Sequence, residues 1–358
     1  MSDVLIVGGG IVGLLSALEL TERGRQVTLV DDGQPWPASW AGGGILSPLH
    51  AWRYPQAMNR LTFDAVSRYG HLINRLAGAG LVDRSALHHC GLWVQTRDDE
   101  TREALDWARD VAIEAEPATA SSVMPDSPLG DGVWFPALAN IRNPRLLSAL
   151  RGYLLHQGVR FMTGRVDTVR RLGGRPDVLL DNGRALQSVQ VLVCAGFESE
   201  RLLKNMGVKL PLFAAKGEML LYSMSPGQVP AVMLTDNGYL IPRSDGAVLV
   251  GSTLQKGDSS RYPTVAGRYR LESLAADLWP VLSRHKPDFH WAGVRPGCGR
   301  PYPYMGSVPG MPGVFAAVGH YRNGLVAAPA SAELMAQLMC SQAPEIDPRP
   351  YQLSPVSS

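Results

Sequence analysis

Apolar positions along the chain follow two periods, and the changes of period mark the elements. Residues 4–7 form a short continuous apolar run of the kind a buried parallel strand needs, and Ile11, Leu14, Leu15 and Leu18 then recur at helical spacing until Gly24. Residues 26–30 read as a second strand closed by Asp31. Helical spacing returns over residues 56–79, through Leu61, Ala65, Leu72 and Leu76, followed by a strand over 92–95 and a helix over 100–115. From 116 to 136 prolines recur and no period holds, so this stretch reads as a connection. Asn143 as N-cap and Pro144 at the first helical position open a helix that buries Leu146, Leu147, Leu150 and Leu154 and stops near Gly158.

The later pattern divides between two sheets. Residues 159–169, 178–180 and 189–194 read as strands, and the last, an apolar run closing on Ala195-Gly196, belongs beside the first strand in a parallel sheet. Residues 210–223, 238–242 and 247–252, with Tyr239 and Ile241 and then Val248 and Val250 alternating, belong to a second sheet. A helix over 265–282 buries Leu271, Leu274, Ala275 and Leu278. A glycine- and proline-rich loop carrying Arg295 and Arg300 follows, then a strand over 314–318, a helix ending near Met339 and a loose tail over 346–358.

The opening unit, strand, glycine turn, helix, strand, acid, holds a dinucleotide fingerprint in its proper setting. Gly8 permits the tight turn, Gly10 lets backbone approach a pyrophosphate, and Gly13 lets the helix pack close while its N-terminus faces the phosphates. Asp31, 18 residues after Gly13, stands where an acid accepts hydrogen bonds from the adenosine ribose. Three consecutive glycines, Gly42, Gly43 and Gly44, fit a place where backbone passes close to a flat ligand. No second fingerprint follows a strand, so no separate nicotinamide site is expected.

Composition narrows the partners. A formal charge of +2 without a dense Lys/Arg run offers no footprint for nucleic acid, and small ligands are expected instead. The four cysteines, Cys90, Cys194, Cys298 and Cys340, are far apart and form no C-x-x-C, so neither a metal site nor a disulfide framework is expected. No signal-peptide pattern and no long apolar run is present, which reads as a cytoplasmic protein without membrane insertion.

Several motifs beyond the fingerprint act together: AGGG at 41–44, CAG at 194–196, KGE at 216–218, GYLIPR at 238–243, AGVRPG at 292–297 and GHYRNG at 319–324. In this order they resemble the D-amino acid oxidase family of FAD-dependent oxidoreductases, and within it the glycine oxidases of thiamine biosynthesis. The resemblance implies an α/β chain with a Rossmann-like FAD-binding domain of glutathione-reductase type, over 1–85, 140–210 and 290–345. It implies also a second, α+β substrate domain built on an antiparallel sheet, over 86–139 and 211–289.

The resemblance further implies that a small amino acid is dehydrogenated to the imino acid, and then to oxo acid and ammonia, while O2 becomes H2O2. For glycine, the imine would supply the thiazole of thiamine. Carried onto this sequence, the carboxylate-binding arginine falls on Arg295, its tyrosine partner on Tyr239 and a second active-site arginine on Arg322. Flavin contacts fall on Gly8, Gly10, Ile11, Val12, Gly13, Asp31, Asp32, Ala41, Gly42, Gly43, Gly44, Val166, Cys194, Ala195, Gly196, His320, Tyr321, Arg322, Asn323, Gly324 and Leu325. The FAD is expected to be non-covalent, although some relatives attach flavin through a cysteine in a segment near that of Cys298.

Asn237 stands where the pattern has histidine, Leu254 where it has methionine, and Gly44 or Ile45 where it has a loop methionine; these changes bear on substrate size. Homotetramers among relatives imply a homo-oligomer, while no stripe in the sequence marks an interface. Three rivals stay open: a D-amino acid or sarcosine dehydrogenase using a quinone or carrier, a tRNA-modifying FAD module, and a non-catalytic flavin protein.

An arginine suits the chemistry because an amino acid carboxylate takes a planar, two-pronged partner that lysine cannot offer. Hydride transfer from a neutral amine needs positioning more than acid–base work, in keeping with the absence of a His/Asp pairing.

Overall fold

The computed structural model describes residues 2–353. The chain forms two compact units, one of Met1–Trp40, Leu147–Ala215 and Arg295–Ser358, the other of Ala41–Leu146 and Lys216–Val294.

The first unit is built on a parallel sheet. Ser2–Val7 lies between Ala185–Val193 and Val27–Asp31, and Arg160–Thr163 and Val314–Val318 extend the sheet on either side, all parallel. Val4, Leu5, Ile6 and Val7 are buried, as are Val191, Leu192 and Val193, because helices cover strands that carry no alternation. The helices Ile11–Glu22 and Gly324–Met339 pack on one another. Tyr304–Ser307 adds an antiparallel edge, and the hairpin of Val166–Leu172 and Arg175–Leu180 pairs with Ala185–Val193.

The second unit contains most of a nine-stranded sheet. Leu212–Ser223, Ala247–Gly251, Tyr239–Pro242 and Val232–Leu234 run antiparallel in succession, and Leu92–Gln95 joins in parallel before Asp131–Phe135 and Glu116–Thr119 close the row. The helix Val265–Leu278 packs its Leu271, Leu274, Ala275 and Leu278 side against Leu220, Tyr222, Val248 and Val250. Its start is tied down by the KGE motif. Glu218, fully buried, accepts from the Thr264 N–H and hydroxyl at 2.9 Å each, contacts His290 Nε2 at 2.9 Å, and lies 3.4 Å from Lys216 Nζ.

The expected elements differ from the observed ones where local polar bonding or an edge position overrides period. The helix expected over 56–79 is two, Gln56–Asn59 and Ala65–Gly78. Between them, the Thr62 hydroxyl bonds back to the Met58 and Asn59 carbonyls, and Asp64 becomes the partner of Arg68. The connection expected over 116–136 contains the strands Glu116–Thr119 and Asp131–Phe135. Pro117 is tolerated because its strand is the last in the sheet.

Arg295 lies in the strand Phe289–Cys298, not in a loop. Residues 41–85 and 140–146, expected with the flavin domain, belong to the second unit, and the first unit resumes at Arg295. The tail is not loose up to its last described residue: Tyr351 and Leu353 are buried, and Arg300 Nη2 donates to the Tyr351 carbonyl at 2.9 Å.

Candidate active site

Parallel strands place their C-terminal ends on one edge, the edge where doubly wound sheets bind ligands. At that edge of the first unit stand the glycine turn after Ser2–Val7, Asp31 at the end of its strand, Ala195-Gly196 after Ala185–Val193, and the 319–325 turn after Val314–Val318. Sequence-distant candidates, Gly8, Gly10, Ile11, Val12, Gly13, Asp31, Cys194, Ala195, Gly196 and the 320–325 group, thus share one edge.

The turn itself has no room to spare. Gly8 has φ +114°, and a Cβ there would lie 2.8 Å from the Cys194 carbonyl carbon; a Cβ on Gly13 would collide with the Gly8 carbonyl oxygen and reach Cys194 Sγ at 3.1 Å. At Gly10 a Cβ would meet only Ser39 Oγ, at 3.2 Å, so its outer side is open to a ligand. Asp31 braces the turn, accepting from Gly9 N–H at 2.7 Å through Oδ2 and from Gly33 N–H at 2.9 Å through Oδ1. Asp32 closes a local turn by accepting from Gln34 N–H. Ile11 N–H donates to Ser39 Oγ at 2.9 Å. Ser39 escaped sequence reasoning because a single serine 28 residues downstream of Ile11 carries no spacing signal.

The second helix start at this edge follows GHYRNG. Asn323 precedes Gly324–Met339, is buried, and its Oδ1 has no hydrogen-bond partner among the described residues. An acceptor buried without a donor is costly, and a bound N–H removes that cost. Arg322 is exposed, with no ion pair among the described residues, and Tyr321 stacks edge-on to Phe213 at 5.6 Å.

Two candidates turn inward instead. His320 is buried with Nε2 3.1 Å from Ser331 Oγ, and burial lowers its pKa to about 4, so it is a neutral packing residue at physiological pH. Val166 packs in the core, and its carbonyl accepts from Arg201 at 2.7 Å. The Cys298 thiol contacts the Arg300 and Gly319 carbonyls at 2.9 and 3.0 Å, and burial raises its pKa, so the thiolate that attachment to flavin would need is disfavoured. Glycine close approach, a helix start whose N-cap is Gly10 and so carries no capping side chain, Asp31 and the unpartnered Asn323 acceptor all fit an FAD.

In the second unit, Ala41, Gly42, Gly43 and Gly44 are held by backbone and side-chain donors. Trp291 Nε1 donates to the Ala41 carbonyl at 3.0 Å, Asn143 Nδ2 to Gly42 at 3.0 Å, Arg243 Nη2 to Gly43 at 2.9 Å and Ile141 N–H to Gly44 at 2.8 Å. Asn143 thus puts its amide on the glycine loop. Tyr239 lies under that loop, and a Cβ on Gly43 would come 3.2 Å from its ring. Among the described residues, the buried Tyr239 hydroxyl has as its hydrogen-bond partner only Met219 Sδ at 4.0 Å, a weak acceptor. A donor of this kind is available to a ligand oxygen.

The doubly wound unit with its glycine edge defines an FAD-binding oxidoreductase. Residues 3–338 match the family described as DAO, FAD dependent oxidoreductase, and the chain belongs to that family. It is 41% identical to the glycine oxidase of Pseudomonas aeruginosa, over 97% of each chain, and 39% identical to the glycine oxidase of Pseudomonas putida, over 98% of this chain and 97% of that one. The crystal structure of glycine oxidase from Geobacillus kaustophilus shares the fold, with a TM-score of 0.93 at 24% identity over 100% of this chain and 99% of that one.

Proposed function

We propose that the protein oxidises glycine or another small amino acid, with Arg295 as the partner of the substrate carboxylate and Tyr239 as its hydroxyl donor. The near-full-length identity to two proteins named glycine oxidase carries this reading. The buried Tyr239 hydroxyl, facing only a thioether, supports it. FAD, when bound, supplies the two-electron acceptor. The substrate loses the α C–H and an amine proton with two electrons, leaving a C=N bond; O2 then takes the electrons and protons as H2O2, and water converts the imine to oxo acid and ammonia. The imine of glycine is also a suitable donor for thiazole formation. The protein's share of the rate is orientation: a guanidinium and a phenol fix the carboxylate so that the α-carbon stays in place. Gly10, Ile11, Gly13, Asp31, Ser39, Asn323 and Gly324 are the residues assigned to the cofactor.

The test compares wild type with Arg295→Ala, both carrying FAD. Removing a charge-assisted contact is expected to lower kcat/KM for glycine roughly 10–100-fold, mostly through KM, with flavin content unchanged. An unchanged kcat/KM removes Arg295 from the site. Turnover of sarcosine, D-alanine or D-proline in place of glycine moves the substrate class without changing the chemistry.

A further inference from the structure

Arg243 is buried, only 6% exposed, and burial works against its charge. No carboxylate lies within ion-pair distance of it among the described residues. Its fork is spent on oxygen acceptors: Nη1 donates to the Ile141 carbonyl at 2.8 Å and to Asn140 Oδ1, and Nη2 to the Gly43 carbonyl at 2.9 Å. An uncompensated cation inside a protein is costly, and lysine, a single point donor, could not span these acceptors in one plane.

The fork reaches a segment that is otherwise hard to fix. Three glycines in succession lose more backbone entropy on ordering than any other tripeptide. Here all three carbonyls are satisfied from the second unit, by Asn143, Arg243 and Ile141 in turn. Tyr239, Ile241 and Arg243 are two residues apart in the chain, and the strand Tyr239–Pro242 directs the first two to one face. The loop covers that face, since a Cβ on Gly43 would lie 2.6 Å from Ile241 Cδ1 and 3.2 Å from the Tyr239 ring.

We propose that Arg243 is a positioning residue: through the Gly43 carbonyl it clamps the 42–44 loop onto the Tyr239 ring and so fixes the phenol hydroxyl for the substrate. This rests on the assignment of Tyr239 above.

Arg243→Lys keeps the charge and removes the fork. In the FAD-loaded variant, hydrogen exchange of the backbone amides over 41–46 is expected to quicken ~10-fold or more while the Ala247–Gly251 strand keeps its rate. KM for the amino acid is expected to rise ~10-fold, with a smaller fall in kcat, because a displaced phenol loses binding and orientation together. Tyr239→Phe should add less in this background than in wild type, since both changes remove one contact. Asn140→Ala takes away one acceptor and leaves the arginine; it should give the same pattern at smaller size, and it carries the test if the lysine variant does not fold. Wild-type exchange over 41–46, or effects of Arg243→Lys and Tyr239→Phe that simply multiply, would overturn the clamp. If wild-type protein oxidises no amino acid, the functional reading falls and the exchange comparison alone decides the clamp.

Discussion

His320 carries a pH dependence that its sequence position hides. Its imidazole is buried against Ser331, and burial lowers the pKa from 6.5 to about 4. Between those values the unfolded chain binds the proton and the folded chain does not, so stability falls as pH drops through about 6.5 and the loss is complete below about 4. The difference amounts to ~3 kcal/mol at full protonation. Urea titrations of the FAD-loaded protein at about pH 7.5 and pH 5 should show wild type losing stability on acidification and His320→Gln losing clearly less. Equal losses would mean that His320 is not held neutral. At this scale the sequence was legible where chemistry demands a residue type: Gly8, Gly13 and Asp31 stand where the fingerprint places them. It was silent on the bonds of Ser39 and Arg243, whose partners lie 28 and 200 residues away, and it read Asn143 only as an N-cap, not as the donor to Gly42, 101 residues away.

Elements were legible where one period runs unbroken. Leu92–Gln95 and Val314–Val318 match the expected bounds, and Gly324–Met339 ends where expected. Asp131–Phe135 was missed among the recurring prolines and absent period of 116–136, and its Gly132 is selected by close strand packing, since a Cβ there would run into the Val94 carbonyl and lie 2.6 Å from Trp93. The tail was misread for a related reason: three prolines signal looseness, but one aromatic anchors the segment. Tyr351 is 1% exposed and sits edge-on to Tyr302 at 6.2 Å, while Arg300 packs over Tyr304 at 3.6 Å and donates to the Pro303 and Tyr351 carbonyls. Tyr351→Ala is expected to cost about 3 kcal/mol, read as a lower urea midpoint with flavin content unchanged at low denaturant. A loss within about 0.5 kcal/mol, the size of a surface substitution, would show that the segment contributes no packing.

At the scale of the molecule, the parallel sheet of the first unit was legible because residues 4–7 and 189–194 are continuous apolar runs, the pattern of strands covered on both faces. Which unit owns residues 41–85 was not, since the glycine loop reads as a ligand contact, while its fixation depends on Asn143, Ile141 and Arg243. No helix among the described residues is long and apolar enough to cross a membrane. The family fixes FAD as the cofactor. The most direct measurement is anaerobic addition of glycine to the purified yellow protein, followed by air. The visible flavin band is expected to bleach with glycine and to return promptly in air with one H2O2 per flavin reoxidised. Bleaching followed by slow return would replace O2 with another acceptor. A band that persists with glycine, sarcosine, D-alanine and D-proline alike would contradict oxidation of free amino acids.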